Sequence, residues 1–385
     1  MLRHVPVAAY ATREQRREKR RALLRAPELT RWLGRIWLSG HGGGSGPKLV
    51  SSGMPDITAT KNVRTLEHVP APDLSVVLVT HNGRERALAT LASARRRLGD
   101  VAAEWLVVDS GSTDGTPDAI EQEQPEVRVF RRANIGFAAG NNVALTEAAG
   151  RYVLLLNPDV EIVAGTLAEL VTVLDERPEV AAASVCQHSP TGQLLPTIRR
   201  FPSVSRQLAE SLRLGGTQER ELDRRTYASE RDADWLVGAF LVIRRKALLE
   251  IGLLDERFFL YSEETDWCFR ARSAGWSIRH VPSLQVVHHQ GGYARAPLAT
   301  QLTYSKILFA EKHYSPVRAL GIRGALLAGH VVRLAGSSAL APLHPRWRAR
   351  TACESAACVS ALFRRPPRLG VTGSGDSVLR GAVAA

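Results

Sequence analysis

The reading of this chain turns on Tyr152-Val-Leu-Leu-Leu-Asn157-Pro158-Asp159-Val160. An apolar run this short cannot span a membrane, which takes about 20 residues. Its β-favouring content and its end on Asn-Pro-Asp predict a buried strand feeding a tight turn. In open α/β sheets ligands sit in the crevice beyond the carboxyl ends of the strands, so Asp159 at that tip is placed to hold a metal ion on a phosphate. The plainer alternative is turn chemistry alone, with Pro158 presetting φ and the flanking side chains bonding their own backbone. The residues on either side decide between the two.

Outward from this stretch, strands are expected at 74–80, 104–110, 127–132, 152–157 and 180–186, with helices between them at 84–98, 117–124, 138–149 and 165–176. Alternation at these lengths builds right-handed βαβ units, hence an α/β domain with a parallel, doubly wound sheet. After Gln187 the alternation breaks. Residues 199–231 are polar and read as a helix plus a loop, 234–243 as an apolar strand and 245–251 as a helix. Ser262-Glu-Glu-Thr-Asp266 then opens a helix that ends near Gly275, with Ser262 as its cap, and strands follow at 276–281 and 284–288. No internal repeat is visible, so this is one continuous domain with a specialised second half.

Polar chemistry gathers at the strand ends and in that second half. Thr80-His81-Asn82-Gly83 can bond a base or ribose, or simply turn the chain from strand to helix. In Asp109-Ser-Gly-Ser-Thr-Asp114-Gly-Thr116, Asp109 can accept an N–H from a pyrimidine ring while the small residues let the chain pass close to a ligand. That loop is not a GxGxxG fingerprint, which counts against a dinucleotide oxidoreductase. Asn134-Ile-Gly136-Phe-Ala-Ala-Gly140-Asn141-Asn142 is either a phosphate or sugar clamp near a helix N-terminus or a cap whose small residues pack on the sheet. Glu263, Glu264 and Asp266 suit a first helical turn through the helix dipole. Phe258, Phe259, Tyr261 and Trp267 around them can also lift a carboxylate pKa toward the range of a general base. His288 and His289, before Gly291-Gly292, offer a metal a nitrogen ligand or serve the structure.

In order and content these features resemble the family 2 glycosyltransferases of the GT-A fold, and within them the rhamnosyltransferase-like branch that works on lipid-linked cell-surface glycans. The resemblance runs from about residue 74 to residue 314 through LSVVLVTHN, LVVDSGSTDGT, NIGFAAGNN, LLLNPDV, WLVGAFLVIRR, GLLDERFFLYSEETDWCFRARSAGW and VVHHQGG. It implies a Rossmann-like, mostly parallel sheet flanked by helices, with 73–200 as the nucleotide-sugar half and 201–315 as the acceptor and catalytic half. Thr80, Asn82 and Asp109 would face the nucleotide, with Asp114 in the same loop, and Asn134, Gly136 and Asn141 would line the donor pocket. Asp159 would be the metal-binding acid of the DxD-type position, with Asn157 in its first place. His288 would be the late metal or diphosphate contact. Glu264 would take the place of the catalytic base, a role Glu263 or Asp266 can share. Two departures stand out: His81 replaces a usual tyrosine, and Glu264 a usual aspartate, so the base reaches one methylene further.

The implied activity is inverting transfer of a sugar, rhamnose or a similar hexose, from a nucleotide-diphosphate donor to a hydroxyl of a glycan or polyprenyl-linked glycan, with Mg²⁺ or Mn²⁺ as cofactor. A non-catalytic nucleotide-binding scaffold on the same fold is the rival, disfavoured by the intact acids at 159, 263, 264 and 266.

Composition sets the frame around this domain. At 44% hydrophobic and 23% charged the 385 residues are ordinary globular material. The net charge of +13 is unevenly placed: Lys+Arg against Asp+Glu is 13 to 5 over residues 1–72, 28 to 31 over 73–315 and 10 to 2 over 316–385. A slightly acidic body between basic flanks argues against a nucleic-acid groove and for flanks that meet an anionic surface such as a membrane. Residues 1–72, with their charge run Arg13 to Arg21, are expected to form a mobile basic tail with one short helix near 29–38. No apolar run reaches membrane-spanning length and the N-terminus lacks a signal-peptide h-region, so a cytoplasmic protein, peripheral at the inner membrane face, is expected. Within 316–342, Arg318, Arg323, His330 and Arg333 share one arc of a possible helix whose other face is apolar. That reads as an interfacial helix or as a core-packed helix with a basic edge. Beyond Pro342 a basic, poorly ordered tail is expected. Cys186, Cys268, Cys353 and Cys358 show neither a CxxC pair nor zinc spacing and read as free thiols.

Overall fold

The computed structural model describes residues 71–212, 224–289 and 296–366. The chain divides between Glu67 and His68, and every described residue belongs to the second unit. The basic N-terminal tail with its expected helix, residues 213–223, Gly291 and Gly292, and the last part of the C-terminal tail lie outside the described residues.

The first half runs β1 (Leu74–Thr80), α1 (Arg84–Arg96), β2 (Ala103–Ser110), α2 (Thr116–Glu123), β3 (Arg128–Arg132), α3 (Phe137–Glu147), β4 (Tyr152–Leu156), β5 (Val160–Ala164), α4 (Leu167–Asp175) and β6 (Val180–His188). The second continues with β7 (Ile198–Arg199), α5 (Val204–Leu212), α6 (Arg224–Tyr227), β8 (Arg231–Asp232), β9 (Trp235–Leu236), β10 (Phe240–Arg244), α7 (Arg245–Ile251), α8 (Glu263–Ser273) and β11 (Ser277–His288). Three helices close the described chain: α9 (Ala296–His313), α10 (Pro316–Leu340) and α11 (Pro345–Phe363).

The main sheet has the order β3-β2-β1-β4-β10-β6-β11-β5, with β8 beside β11. β1 to β4 are parallel, β10 runs antiparallel between β4 and β6, and β6 pairs β11 in parallel. This is the α/β, mostly parallel sheet flanked by helices that was expected. β1 and β4 are buried at every residue because helices cover both faces, which is why they read as unbroken apolar runs. Leu154 and Leu156 point into the layer shared with Leu91 of α1 and Leu170 of α4. Val153 and Leu155 point into the opposite layer, with Leu145 of α3 and Trp267 of α8. Trp267 is fully buried and its indole N–H donates to the Gly252 carbonyl at 2.9 Å, so α8 is pinned to the sheet at the helix that carries the acids.

The structure departs from the sequence reading in several places. The expected strand 234–243 breaks around Gly238: Trp235 and Leu236 pair with β7, and the chain re-enters the main sheet at Phe240. The two expected strands 276–281 and 284–288 are one strand, whose register shifts between His280 and Gln285 around Pro282. Ser262 does not cap α8; it sits at φ 68°, in the left-handed region, where its side chain makes no cap bond. Beyond Pro342 the chain forms α11 rather than a poorly ordered tail, and α9 was not anticipated. Gly321 and Gly329 of α10 let α5 approach: a Cβ at Gly321 would stand 2.8 Å from a Val204 methyl, and one at Gly329 would run into Ser211. All four cysteines are free and buried, and burial pushes the Cys268 thiol up to about 12. Among the described residues no helix is long and apolar enough to cross a membrane.

Candidate active site

The carboxyl ends of β1, β2, β4 and β6 lie along one edge of the sheet, and polar atoms without partners collect there. Among the described residues, buried atoms with no hydrogen-bond partner include Thr80 Oγ1, Asp109 Oδ1, Ser110 Oγ, Asn157 Oδ1, Gln187 Oε1 and His288 Nδ1. Orphaned groups of this kind cost roughly 1–3 kcal/mol each, a cost that ligand contacts can remove.

Asp159 follows β4 in the predicted turn, and β5 then carries the chain back antiparallel to β11. That strand, unread in the sequence, pairs Val160 with His288, while the His289 N–H donates to the Asp159 carbonyl at 2.9 Å. Asp159 Oδ1 and His288 Nε2 consequently stand 3.3 Å apart, His288 buried and Asp159 half-buried. A carboxylate oxygen and an imidazole nitrogen converging this closely form a donor pair that fits a divalent ion. Among the described residues no group of three such side chains exists, so an ion here would complete its shell with phosphate oxygens and water, as Mg²⁺ commonly does.

At the nucleotide end the side chains are fixed by one another. Asn82 adopts φ 48°, its Oδ1 accepts the Thr113 N–H at 2.8 Å, and its amide N–H donates to Ser112 Oγ. His81 Nδ1 donates to the Ser110 carbonyl at 2.8 Å, which fixes the ring where tyrosine is usual. Asp109 spends one oxygen on the Ser112 N–H at 3.0 Å and keeps the other unpartnered. Asp114 differs: both its oxygens are taken, by Thr116 and by the Arg84 N–H, so it ties together the starts of α1 and α2. Burial alone would raise its pKa, but those bonds hold the carboxyl below its usual value.

The 134–142 stretch also serves packing. Asn134 Oδ1 accepts the Gly136 N–H, and Asn141 turns back to donate to the Phe137 carbonyl at 2.8 Å. Gly136 sits at φ 93°, and a Cβ there would stand 2.6 Å from the Phe259 carbonyl oxygen. The Phe137 N–H donates to that same oxygen at 2.7 Å, and Asn142 exchanges hydrogen bonds with the backbone of Leu254. This stretch is where the donor half grips the loop leading to α8.

That loop is strained. Tyr261 and Ser262 both adopt positive φ, 67° and 68°, two successive non-glycine residues in the left-handed region immediately before Glu263. The turn delivers Glu264 beside Gly238, and the adjacent Ala239 carbonyl accepts the Asn157 N–H at 2.9 Å, so Glu264 and the Asp159 turn flank the same two strand ends. Glu263 is buried and Glu264 half-buried, each with one unpartnered oxygen. Burial pushes both carboxyls up; the charge of Glu264 pushes Glu263 further, while a hydrogen bond from Glu263 and the charge of Arg199 pull Glu264 back.

Asp266, two residues on, faces elsewhere. It is fully buried and accepts from Arg270 Nε at 2.9 Å, Lys312 Nζ at 2.5 Å and His313 Nε2 at 2.6 Å. Burial alone would raise it, but the hydrogen bonds from His313 and Lys312 and the charges of Arg270 and Lys312 hold its carboxyl below the usual range. The structure separates it from the Glu263–Glu264 pair as a clamp between α8 and α9.

Sequence reasoning missed Gln187, Arg199 and a cavity of about 360 Å³ lined by Cys186, His188, Gly192, Leu194, Tyr227, Ala228 and Gln285. None of the predicted site residues lines it. No local motif marks this space, because it is assembled from segments up to about a hundred residues apart.

With this geometry in place, comparison with known proteins is informative. The family model for glycosyl transferase family 2 matches residues 75–252. The N-acetylglucosaminyl-diphospho-decaprenol L-rhamnosyltransferase of Mycobacterium tuberculosis (strain H37Rv) is 34% identical over 265 residues, spanning 62% of this chain and 85% of that protein. Rhamnosyltransferase WbbL of Escherichia coli (strain K12) is 24% identical over 163 residues, 40% of this chain and 61% of that protein. Among solved structures, the mannosyltransferase PcManGT of Pyrobaculum calidifontis, in complex with GDP-Man and Mn²⁺, aligns over 90% of this chain and 98% of its own, at 18% identity and TM-score 0.48. At that score the likeness adds nothing to the topology described above. Matched over its catalytic strands and along most of the mycobacterial protein, the chain belongs to glycosyl transferase family 2, in the rhamnosyltransferase-like branch.

Proposed function

We propose that this glycosyltransferase moves rhamnose or a similar hexose, with inversion, from a nucleotide-diphosphate donor to a hydroxyl of a polyprenyl-diphosphate-linked glycan at a membrane surface. The observation that carries the reading is the Asp159–His288 pair, 3.3 Å apart at the sheet edge, with Glu264 held across the same strand ends. Asp159 and His288 would hold a divalent ion, Mg²⁺ or Mn²⁺; bound there, it supplies Lewis-acid neutralisation of charge on the leaving diphosphate.

The protein's own groups do the rest. Asp109 Oδ1 and Thr80 Oγ1, buried and unpartnered, orient the nucleotide, and the fixed Asn82–Thr113 contact shapes the loop over it. Glu264, deprotonated, accepts the proton of the acceptor hydroxyl as its oxygen attacks the anomeric carbon, a contribution of roughly 10²- to 10⁴-fold. Glu263, buried beside it, holds Glu264 in place through the hydrogen bond between them. The choice of rhamnose and of a polyprenyl-linked acceptor is supported by likeness to the mycobacterial rhamnosyltransferase, whose name carries both. The test is to supply dTDP-rhamnose, then other nucleotide sugars, with polyprenyl-diphosphate-linked N-acetylglucosamine and measure glycolipid product. Rhamnosylated product with β/α configuration opposite to the donor supports the reading; nucleotide-sugar binding without any transfer would favour a non-catalytic scaffold.

A further inference from the structure

Of the four basic residues expected to share one arc of α10, Arg323, His330 and Arg333 turn inward, and exposed Arg318 folds back onto the domain. Arg323 donates to the carbonyls of Ala361 and Leu362, and Arg333 to Glu354 and to the Ser211 carbonyl. Buried His330 bonds Thr303 and Glu354, and Arg318 reaches the Pro202 carbonyl while stacking on Tyr314. Both sequence readings put the basic arc at the surface; the structure turns most of it inward and leaves the opposite, apolar side of α10 facing out. On that side Val317 is 82% exposed, Leu320 67%, Val331 50% and Val332 57%. Every exposed residue from Leu320 to Leu340 is uncharged. The stripe from Val317 to Ala335 is about 27 Å long at 1.5 Å per residue. An uncharged, apolar face of this length is what soluble surfaces avoid unless something covers it.

Arginines stand at both ends of α11, the helix packed beside α10. Arg346 and Arg348 are exposed at the start of α11, with Leu343 74% exposed just before them. Trp347 lies half-buried beneath Arg346 and Arg350, an aromatic of the kind that sits at headgroup level. At the far end of α11, exposed Phe363 is followed by Arg364, which pairs with Glu311 of α9, and by exposed Arg365. Over residues 316–366 the sole acid is Glu354, already engaged by His330 and Arg333.

We infer that α10 and the ends of α11 form a docking face that lies on an anionic lipid surface, apolar side chains entering the interface and the arginines meeting headgroup phosphates. A second copy of the chain fits less well, because a two-fold pair would set arginines against each other with no acids across. The inference takes the membrane-borne acceptor of the proposed function as its setting, yet it can be read without any acceptor.

The experiment is flotation of the full-length chain with phosphatidylcholine vesicles, with and without phosphatidylglycerol, alongside sedimentation of the free protein. The wild type should float with phosphatidylglycerol vesicles. Leu320→Asp with Val331→Asp should reduce binding at least tenfold while leaving the thermal midpoint and donor binding unchanged, since both sites are exposed. Arg346→Ala with Arg348→Ala should cost roughly fivefold per arginine on anionic vesicles only. Wild-type protein that stays unbound, an aspartate variant that floats equally well, or a dimer that the aspartates dissolve would each overturn the inference. Transfer to a polyprenyl acceptor dispersed in detergent reports separately on the catalytic reading, so the two can fail independently.

Discussion

Asp159 and Asp266 are both acids on the same sheet-based domain, and their surroundings are opposite. Asp266 is fully buried and caged by Arg270, Lys312 and His313. Lys312 also bonds Asp255, whose carboxyl is held far below its usual range, first by Arg257 and then by Lys312. Asp159 has one neighbour of opposite character, His288 at 3.3 Å, and stands among strand-end atoms that have no partner. Acids alone do not mark a site; capacity left unspent does. The cage is a structural clamp, and the pair at the sheet edge is where the proposed ion would be held.

Four results would break or sharpen that contrast. Asp159→Ala should lower kcat/KM on the order of 10³-fold, since metal stabilisation of leaving-group charge is worth several kcal/mol, while the thermal midpoint stays close to wild type. Glu264→Gln should lower kcat by at least about 10²-fold and leave donor affinity in place; equal loss of both would make it a binding residue. Asp266→Ala should do the reverse. It should destabilise by about 3 kcal/mol because Arg270, Lys312 and His313 lose a shared buried partner, lowering the thermal midpoint by roughly 6–12 °C, with activity per folded molecule largely retained.

The smallest effect is in pH. Asp266 and Asp255 have folded values below the ordinary 3.8, so their stabilisation is present above 3.8 and is lost as pH falls through their folded values. Glu264 is raised above 4.5, so between those values the native state binds the extra proton and stability drops as pH rises, while kcat/KM climbs as the base ionises. Thermal melts and rate profiles should therefore run in opposite directions over the mildly acidic range. Asp266→Asn should flatten the acid limb of the melts alone.

Much of this was legible in the sequence because of where burial is complete. β1 and β4 are covered on both faces, so Leu74-Ser-Val-Val-Leu-Val-Thr80 and Tyr152 to Leu156 stand out as apolar runs ending in polar turns. β5 did not stand out. Val160-Glu-Ile-Val-Ala alternates weakly after a turn, yet it is the strand that brings His288 to Asp159. Asp266 looked like a candidate base because Lys312 and His313, which cage it, come from a helix more than forty residues later. The basic arc of α10 was visible, but its direction was not. Glu354, which draws His330 and Arg333 inward, belongs to α11, a helix masked in the sequence by its arginines.

The most direct test of the account is calorimetric titration of dTDP into the full-length protein with and without Mn²⁺, repeated for Asp159→Ala. The account predicts that Mn²⁺ tightens dTDP binding at least tenfold in the wild type and leaves the variant unchanged. Equal affinity with and without the ion in the wild type, or the same gain in both proteins, would contradict it.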